Sequence, residues 1–403
     1  MIKIRYTSLL CTLVLFMGIH VNAQTIVSTN PANKNVVLEE FTGIYCTYCP
    51  DGHKIAQQIK DANPSRVVLV NIHTGGYAAP SGSDPDFRTN YGSAIAGQAN
   101  LAGYPAGTVN RHQFSMTQNG GTAMSRGDWG TAANQEFAVS SPVNVAATAT
   151  WDVGANQISI YVEAYYTANS SASANSLNVA ILESNVPGPQ TGGTTYNPTN
   201  FDSEGNYLHQ HMLRDFVTGQ WGVSVSPTTT GSFYSNTFTY PIPANYNGIV
   251  PELSEITVAV YMAEGQQEVL TGVEVPLTAT NIPTQNNSAL IDVEDLGSYC
   301  GTSASPTITI RNMGSSTLTS LDINYDINGG GSGLYQWTGS LNFYEKEDVT
   351  LPLIAYTPMG TNTINVSTSN PNGVVDNDLS NDLGSSSFAD APEATSTTVY
   401  FEL

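Results

Sequence analysis

Two cysteines with the spacing Cys-x-x-Cys, Cys46 and Cys49, stand where a predicted strand meets a predicted helix. The strand is the mainly apolar stretch of residues 36–41, and the helix is residues 50–62, whose apolar side chains recur on one face. The unpaired N–H groups at a helix start stabilise a thiolate. Two intervening residues let the second thiol reach back and close an intramolecular disulfide. The pattern therefore predicts Cys46 as an attacking nucleophile and Cys49 as the resolving thiol.

Two other interpretations of the cysteine pair stay open. In an oxidising compartment the pair could be a structural disulfide that never turns over. Half of a zinc site is the other possibility, but no second Cys-x-x-Cys and no histidine pair stands at zinc-finger spacing. We therefore predict no metal and no other cofactor at the pair. One turn further along the helix, His53 is expected to be a solvated histidine, and Asp51 to be a partner for the helix dipole.

Residues 41–50, Phe-Thr-Gly-Ile-Tyr-Cys-Thr-Tyr-Cys-Pro, resemble the dithiol segment of the thioredoxin superfamily. A second apolar strand at residues 66–73 and the turn Tyr104-Pro105 before a short strand support the resemblance. It implies that Pro105 is a cis-proline facing the dithiol. It also implies that Glu40 is a buried carboxylate whose raised pKa lets it accept a proton from the resolving thiol. The same resemblance implies a peptide-binding surface made of Tyr45, Tyr48, Tyr104 and Pro105.

The sequence also differs from the thioredoxin pattern around the cysteine pair. Tyr45 stands where thioredoxin has tryptophan, and Thr47-Tyr48 is not the pair that thioredoxin carries between its cysteines. The redox potential and the direction of electron flow therefore do not carry over. Residues 74–86 form an unusually long loop, rich in glycine and proline, that stands where it could cover the site.

Residues 1–23 have the pattern of a cleaved signal peptide. Lys3 and Arg5 precede an apolar run at residues 9–19, and small residues at 21–23 suit cleavage before Gln24. The run is shorter than the roughly 20 residues that a spanning helix needs, and we expect no transmembrane segment after cleavage. The chain is therefore predicted to be exported, to the periplasm, the outer membrane or the cell surface.

The charge of the chain is unevenly distributed. Residues 24–140 carry seven basic against eight acidic residues, whereas residues 141–403 carry three against twenty-five. Phosphate binding depends on lysine and arginine, so we exclude nucleic acid as a partner. Acidity of this kind keeps an exported protein soluble, and calcium binding is the alternative.

The chain is predicted to be multidomain, with an α/β thioredoxin-like domain (residues 24–140) followed by two all-β immunoglobulin-like sandwiches (141–283 and 284–403). Residues 143–151 and 157–165 alternate apolar and polar side chains around a short turn, which predicts a hairpin. Strand-like segments continue through both β regions at sandwich spacing. A C-terminal linker is expected from residue 385.

We also make predictions for four individual residues in the β regions. His209 and His211 would share one face of a strand, where a metal could join them, although packing or hydrogen bonding is the preferred interpretation. Arg214 is remote in sequence from every other basic residue, which predicts a specific carboxylate partner. Cys300 is expected to be a buried free thiol.

The order of these motifs resembles the outer-membrane protein family of the 28-kilodalton type found in Bacteroidetes, over residues 24–281. The motifs that carry the resemblance are the signal peptide, the dithiol segment, the Tyr-Pro-x-Gly turn and the Tyr-x-His-x-His-x-Leu-Arg sequence of residues 207–214. It implies an envelope or surface location and carries no settled activity. The run Ile-Arg-Asn-x-Gly-x-x-x-Leu at residues 310–318 is similar to the immunoglobulin-like cell-adhesion-related domain of bacterial surface proteins.

These observations support two hypotheses. In the first, the chain is a thiol-disulfide oxidoreductase that acts on thiols or disulfides of exported proteins or peptides, through a mixed disulfide at Cys46. In the second, it is a non-enzymatic binding or adhesion protein of the cell surface. Cys46–Cys49 is then a structural disulfide, and the β sandwiches contact a partner in the cell envelope.

Overall fold

The computed structural model describes residues 25–391. The predicted signal peptide and the end of the expected linker lie outside the described residues. The fold is mostly β, with few helices. Within residues 25–391, no helix combines the length and the apolar character needed to cross a membrane.

The N-terminal region places its helices around a small group of strands. β2 and β3 lie side by side in parallel, and every residue of both strands is buried, as expected for strands covered on both faces. β4 is antiparallel to β2, and β5 is antiparallel to β4. The elements are β1 (Ala32–Asn33), β2 (Val36–Thr42), α1 (Cys49–Ala62), β3 (Val67–His73), α2 (Gly92–Ala99), β4 (Ala106–Val109), β5 (Met124–Ser125), α3 (Trp129–Glu136) and β6 (Ser140–Ser141).

The predicted helix after the cysteine pair is confirmed as α1. Pro50 occupies its first turn, where the missing N–H costs little. Ala56 packs in one apolar cluster with Leu69 of β3 and Trp129 of α3. α2 begins at Gly92, and Phe87 before it packs against two buried histidine rings, those of His73 and His209.

The second region is a two-sheet sandwich. The predicted hairpin is confirmed as the antiparallel pair β7 and β8. β16 joins the two sheets, because its first part pairs with β15 and its last residues pair with β7. The elements are β7 (Val143–Asp152), β8 (Gln157–Tyr166), β9 (Asn175–Glu183), β10 (Val186–Gly188), α4 (Gly193–Tyr196), β11 (Tyr207–His209), β12 (Met212–Phe216), β13 (Val223–Val225), β14 (Phe233–Pro241), β15 (Ile256–Glu264) and β16 (Gln267–Thr280).

The first two regions share one sheet and one core. β12 lies parallel to β3, with Met212 opposite Asn71, so the strands of the N-terminal region continue those of the sandwich. Phe41 of β2 packs in the same apolar cluster as Leu182 of β9 and Tyr261 of β15. The N-terminal elements are therefore held against the second region by buried apolar contacts as well as by backbone hydrogen bonds.

The third region is a separate sandwich of a three-stranded and a five-stranded sheet around one apolar core. This architecture supports the immunoglobulin-like prediction. The strands are β17 (Ser288–Val293), β18 (Ser298–Tyr299), β19 (Ser303–Ala304), β20 (Thr307–Asn312), β21 (Leu318–Ile327), β22 (Gly330–Leu341), β23 (Lys346–Thr350), β24 (Ile354–Ala355), β25 (Thr361–Ser369) and β26 (Leu383–Asp390).

Two expectations for the third region differ from the structure. Residues 385–390 were expected to begin a linker, but they belong to β26, because this strand pairs with β25 and buries Phe388 in the core. Cys300 was expected to be buried, and it is exposed. It follows directly after β18, a two-residue strand at the edge of the five-stranded sheet.

Glu252 of the second region forms ion pairs with the third region. Arg311 and Lys346, the two basic residues of the third region, both form ion pairs with its carboxylate. Beside them, the ring of Trp151 packs against those of Phe343 and Tyr344. A charged and an aromatic contact therefore hold the two sandwiches together.

Candidate functional site

Cys46 and Cys49 form a disulfide at the start of α1, with Cα atoms 5.4 Å apart. The pairing agrees with the spacing in the sequence. Cys46 is 3% exposed and Cys49 is 0% exposed. The disulfide is therefore almost completely covered, although it lies at the end of a helix.

Residues 189–196 of the second region, which we name the covering segment, lie over the disulfide. The N–H of Thr191 donates a hydrogen bond to the carbonyl of Ile44 at 2.8 Å. The side-chain amide of Gln190 donates to the carbonyl of Cys46 at 3.1 Å. Further along the covering segment, the ring of Tyr196 packs against that of Tyr48, with centroids 5.3 Å apart. The covering segment is thus bonded to the backbone of the cysteine turn itself.

The sequence did not reveal the covering segment. It is a run of glycine, proline, threonine and polar residues between two strands, with no periodic pattern. Only the pairing of β10 with β11 and of β12 with β3 brings it to the cysteine pair. The one local signal is Gly192-Gly193, because adjacent glycines permit a close approach of two backbones.

The loop of residues 74–86 closes the other side of the cysteine turn, as its position in the sequence suggested. Tyr45 donates a hydrogen bond from its N–H to the carbonyl of Tyr77 at 3.0 Å. Its hydroxyl donates to Asp84 at 2.5 Å and accepts from the N–H of Ser81 at 2.9 Å. The hydrogen bond to Asp84 and burial raise the pKa of Tyr45. Tyr45, which is predicted to contact a substrate peptide, is bonded to this loop.

Glu40 and Pro105 both lie beside the first turn of α1. A Cβ atom built on Gly52 would stand 2.5 Å from Oε1 of Glu40 and 3.2 Å from Cβ of Pro105. The bond between Tyr104 and Pro105 is cis. Glu40 is fully buried, and its two oxygens have no hydrogen-bond partner within the described chain. Burial raises the pKa of Glu40 well above its ordinary value, against a smaller lowering by Arg126.

The other tyrosines of the predicted peptide-binding surface lie at the rim. Tyr48 is about half exposed, and the guanidinium of Arg126 lies 5.8 Å from its ring centroid. Arg126 also forms an ion pair with Asp51 at 2.6 Å, so Asp51 has a side-chain partner besides the helix start. Tyr104 packs edge-on against the exposed ring of Tyr77. The structure therefore gathers all the predicted site residues around the cysteine turn.

Three buried histidines, His53, His73 and His209, lie next to this site. The ring centroids of His73 and His209 are 5.1 Å apart, and those of His53 and His209 are 6.5 Å apart. Burial lowers the pKa of His53 to about 3 and that of His209 to about 4. It also holds the pKa of His73 well below the ordinary value. All three rings are therefore neutral at pH 7.

The prediction that His53 is solvated is wrong. One ring nitrogen lies 2.8 Å from the hydroxyl of Thr42, and the other lies 2.8 Å from that of Tyr207. Tyr207 comes from β11, and no local pattern in the sequence places this strand over α1. His53 therefore joins the two regions rather than facing water.

His209 and His211 do not share a face. His209 is buried in the histidine cluster, whereas His211 sits between β11 and β12 with a φ of 51°. The ring of His211 lies 3.1 Å from Gln57 and 3.7 Å from Glu274. Across residues 25–391, no group of three or more His, Cys, Asp and Glu side chains is arranged to hold a metal ion.

Arg214 has the carboxylate partner that its isolation predicted. Its Nε lies 3.1 Å from Glu183, and both side chains are buried. The guanidinium also lies over the ring of Tyr246, 4.5 Å from its centroid. The basic residue thus holds β12 to β9 rather than facing a ligand.

The similarity to known proteins extends over the middle of the chain. The family described as outer membrane protein Omp28 matches residues 93–278. Over these residues the chain is similar to Omp28. The matched stretch includes Pro105, the covering segment and all but the last two residues of the second sandwich, but neither the cysteine pair nor the third region. This match supports an exported protein that is associated with the outer membrane or the cell surface, as the predicted signal peptide suggests.

Solved structures with similar folds have low sequence identity. HBP35 of Porphyromonas gingivalis is 16% identical, and the similarity covers 88% of this chain and 98% of that one, with a TM-score of 0.48. A CARDB domain from Pyrococcus furiosus is 21% identical over 27% of this chain and 92% of that one, with a TM-score of 0.22. A domain of the outer membrane lipoprotein Omp28 from Porphyromonas gingivalis is 16% identical over 35% and 91%, with a TM-score of 0.24. No curated protein matches the chain.

Proposed function

We propose that the chain is a non-enzymatic binding protein of the outer membrane or cell surface, in which Cys46–Cys49 is a structural disulfide. The observation that carries this proposal is the burial of both cysteine residues beside the covering segment, which is bonded to the backbone of the cysteine turn. Thiol-disulfide exchange requires a partner thiolate to reach one of the two sulfurs. A partner thiolate has no such access while the covering segment is bonded to the cysteine turn.

In this proposal the N-terminal region is a thioredoxin-like scaffold. The support is the strand order β3-β2-β4-β5, with α1 starting at the cysteine pair and Pro105 beside its first turn. The region does not stand alone, because its sheet continues into the second sandwich through β12. A scaffold whose sheet and core are shared with its neighbour suits a fixed surface module.

The β regions would provide the binding surface. On the five-stranded sheet of the third region, a cleft of about 510 Å³ is lined by Tyr325, Leu334 and Leu383 among asparagine and serine side chains. The strong acidity of residues 141–403 disfavours polyanions as partners. The proposed partner is therefore an uncharged or basic component of the cell envelope.

One observation favours oxidoreductase activity as the second candidate. Glu40 is fully buried beside α1 with a raised pKa, as a proton acceptor for a resolving thiol would be. In that case the covering segment would have to leave before Cys46 could react. Exchange would transfer a disulfide between the cysteine pair and a thiol of an exported protein, through a mixed disulfide at Cys46.

Trapping in the producing cells tests the proposal. The variant Cys49→Ser leaves Cys46 without its resolving thiol, so an active enzyme accumulates mixed disulfides with its partners. If the disulfide is structural, Cys49→Ser should form no more covalent adducts on non-reducing gels than the matched variant Cys46→Ser does. Adducts that form with Cys49→Ser, disappear on reduction and are missing with Cys46→Ser would contradict the proposal.

Binding to envelope fractions provides the complementary measurement. A variant that combines Cys46→Ala and Cys49→Ala should bind isolated outer membranes as the wild type does, because the proposed binding surface lies in the β regions. Loss of binding in a variant whose circular dichroism spectrum matches the wild type would place the binding at the cysteine pair instead.

A further inference from the structure

Lys34, Asn110 and Glu136 meet in the interior of the N-terminal region. Lys34 is 6% exposed, Glu136 is 2% exposed and Asn110 is 0% exposed. Nζ of Lys34 and Nδ2 of Asn110 each lie 2.9 Å from the same oxygen, Oε2 of Glu136. The amine of one residue and the amide of another are therefore held on a single buried carboxyl group.

Neighbouring elements hold these side chains in place. Lys34 precedes β2, Asn110 follows β4, and Glu136 is the last residue of α3. β2 and β4 are adjacent antiparallel strands, and the N–H of Asn110 donates to the carbonyl of Val37 at 2.9 Å. The lysine and the asparagine thus flank paired strands, and their side chains approach from fixed backbones.

The amide carbon of Asn110 is activated by its hydrogen bonds. The N–H of Val37 donates to Oδ1 of Asn110 at 2.7 Å. This donor withdraws electron density from Cγ and stabilises the negative charge that develops on Oδ1 when a nucleophile adds to Cγ. Nδ2, the group that would leave, donates to Glu136 and also to the carbonyl of Asn35 at 3.2 Å.

Glu136 stands where it can act as a base for Lys34. The two side chains form a buried ion pair, with 2.9 Å between Nζ and Oε2. The carboxylate can therefore accept the proton that the amine must lose before Nζ becomes a nucleophile. The other carboxylate near Nζ is Glu268, at 3.9 Å and partly exposed.

We propose that Lys34 and Asn110 form an intramolecular isopeptide bond with the help of Glu136. Glu136 takes one proton from the amine of Lys34, and Nζ adds to Cγ of Asn110. The protonated carboxyl group delivers this proton to Nδ2, and the carboxylate so formed takes up the second proton that Nζ loses. The Cγ–Nδ2 bond breaks, and ammonia leaves. One amine and one primary amide become one secondary amide and one ammonia, with no change of oxidation state.

The bond would close residues 34–110 into a covalent ring. This ring contains β2, α1, β3, α2 and β4, and therefore the whole cysteine turn. Closing so long a loop restricts the unfolded chain more strongly than the short Cys46–Cys49 bridge does. The inference is independent of the proposed function, because it holds whether or not the disulfide turns over.

Peptide mapping of the mature wild-type protein by mass spectrometry tests the proposal. The expected result is a branched peptide pair joined between Lys34 and Asn110, lighter than the two separate peptides by one ammonia. The intact mass alone does not decide, because cyclisation of an N-terminal Gln24 also releases ammonia. The fragment spectrum of the branched pair assigns the bond.

Matched variants define the chemistry. Lys34→Arg keeps the positive charge but has no reactive amine, so it should not form the bond and should not release ammonia. After correction for the substitution itself, its intact mass should therefore be higher than that of the wild type by the mass of one ammonia. Lys60→Arg replaces another ion-paired lysine, which lies 2.5 Å from Glu274, and should keep the bond. Glu136→Gln keeps both reacting residues and should leave them unlinked.

Two results would overturn the proposal. Recovery of the peptides containing Lys34 and Asn110 only in unlinked form, from the wild-type protein, excludes the bond without relying on any variant. A full yield of the bond in Glu136→Gln excludes the role of the carboxyl group.

Discussion

Gly192 lies against the carbonyl oxygen of Thr47, within the Cys46–Cys49 turn. A Cβ atom at position 192 would stand 2.1 Å from that oxygen, and the backbone there has a φ of 76°. Both the space and the conformation therefore require glycine. This contact brings the second region over the cysteine pair, so the access of thiols to the disulfide depends on one residue that is remote from it in sequence.

Gly192→Ala should expose the disulfide. The added methyl group has no room beside Thr47, so the covering segment has to move away from the cysteine turn. We expect dithiothreitol to reduce the Cys46–Cys49 disulfide of this variant at least about tenfold faster than that of the wild type, because reduction depends on access to sulfur. Alkylation of the freed thiols, followed by mass spectrometry at successive times, measures the rate.

Gly205→Ala is the matched control for this prediction. Gly205 also has a positive φ, 88°, but no described atom lies within 4 Å of an added Cβ. Both variants therefore carry backbone strain of about 1 kcal/mol, and only Gly192→Ala has the clash. Equal reduction rates in the two variants would show that the covering segment does not protect the disulfide.

The buried histidines should make the protein less stable in acid. In the unfolded chain a histidine titrates near 6.5, whereas burial lowers the pKa of His53 to about 3 and that of His209 to about 4. Below pH 6.5 the unfolded state binds protons that the folded state does not, so the free energy of unfolding falls from pH 6.5 towards pH 4. Each histidine contributes about 2 kcal/mol to this loss at pH 5.

His73→Leu tests this effect, because neither ring nitrogen of His73 has a hydrogen-bond partner among residues 25–391. Burial lowers the pKa of His73, so the variant should lose less stability than the wild type between pH 7.5 and pH 5. Urea unfolding at the two pH values measures the difference. An unchanged loss would mean that His73 does not titrate with unfolding.

Glu40→Gln should stabilise the protein at pH 7. Burial raises the pKa of Glu40 well above its ordinary value, so the folded state keeps a proton that the unfolded state releases above about pH 4.5. The wild type therefore loses stability as the pH rises from 4.5 towards the raised pKa, and the uncharged glutamine avoids this loss. Thermal unfolding at pH 5 and pH 7 checks it, since the advantage of the variant should grow with pH.

The neighbouring Glu39→Gln provides the contrast. Glu39 is equally buried but forms an ion pair with Arg111, which also hydrogen bonds to Tyr261. Removing its charge leaves the guanidinium without a counter-ion, at a cost of about 3–5 kcal/mol. If both variants destabilised the protein equally at pH 7, the assignment of an unpaired, protonated Glu40 would be wrong.

The local patterns of the sequence predicted most of the individual elements. The Cys-x-x-Cys spacing and the apolar face of residues 50–62 predicted the disulfide and α1, since both depend on neighbours in sequence. Alternation around a short turn predicted β7 and β8 for the same reason. The isolation of Arg214 correctly predicted a carboxylate, though not that the partner would be Glu183.

The features that could not be predicted from the sequence depend on contacts between segments that are far apart along the chain. The parallel pairing of β12 with β3 carries the covering segment to the disulfide, and no local pattern in residues 189–196 indicates it. His53 was expected in water because its helix was considered without Tyr207, which lies on it. Cys300 was expected to be buried because the end of β18 at a sheet edge could not be seen from its sequence.

The reduction potential of the Cys46–Cys49 disulfide tests the central claim most directly. The mature protein is equilibrated in dithiothreitol redox buffers, and the reduced fraction is measured by alkylation and mass spectrometry. If Cys46–Cys49 is a structural disulfide that the covering segment keeps closed, its reduction potential should lie below about −300 mV. A value between about −270 and −120 mV, the range of dedicated thiol-disulfide oxidoreductases, would contradict it.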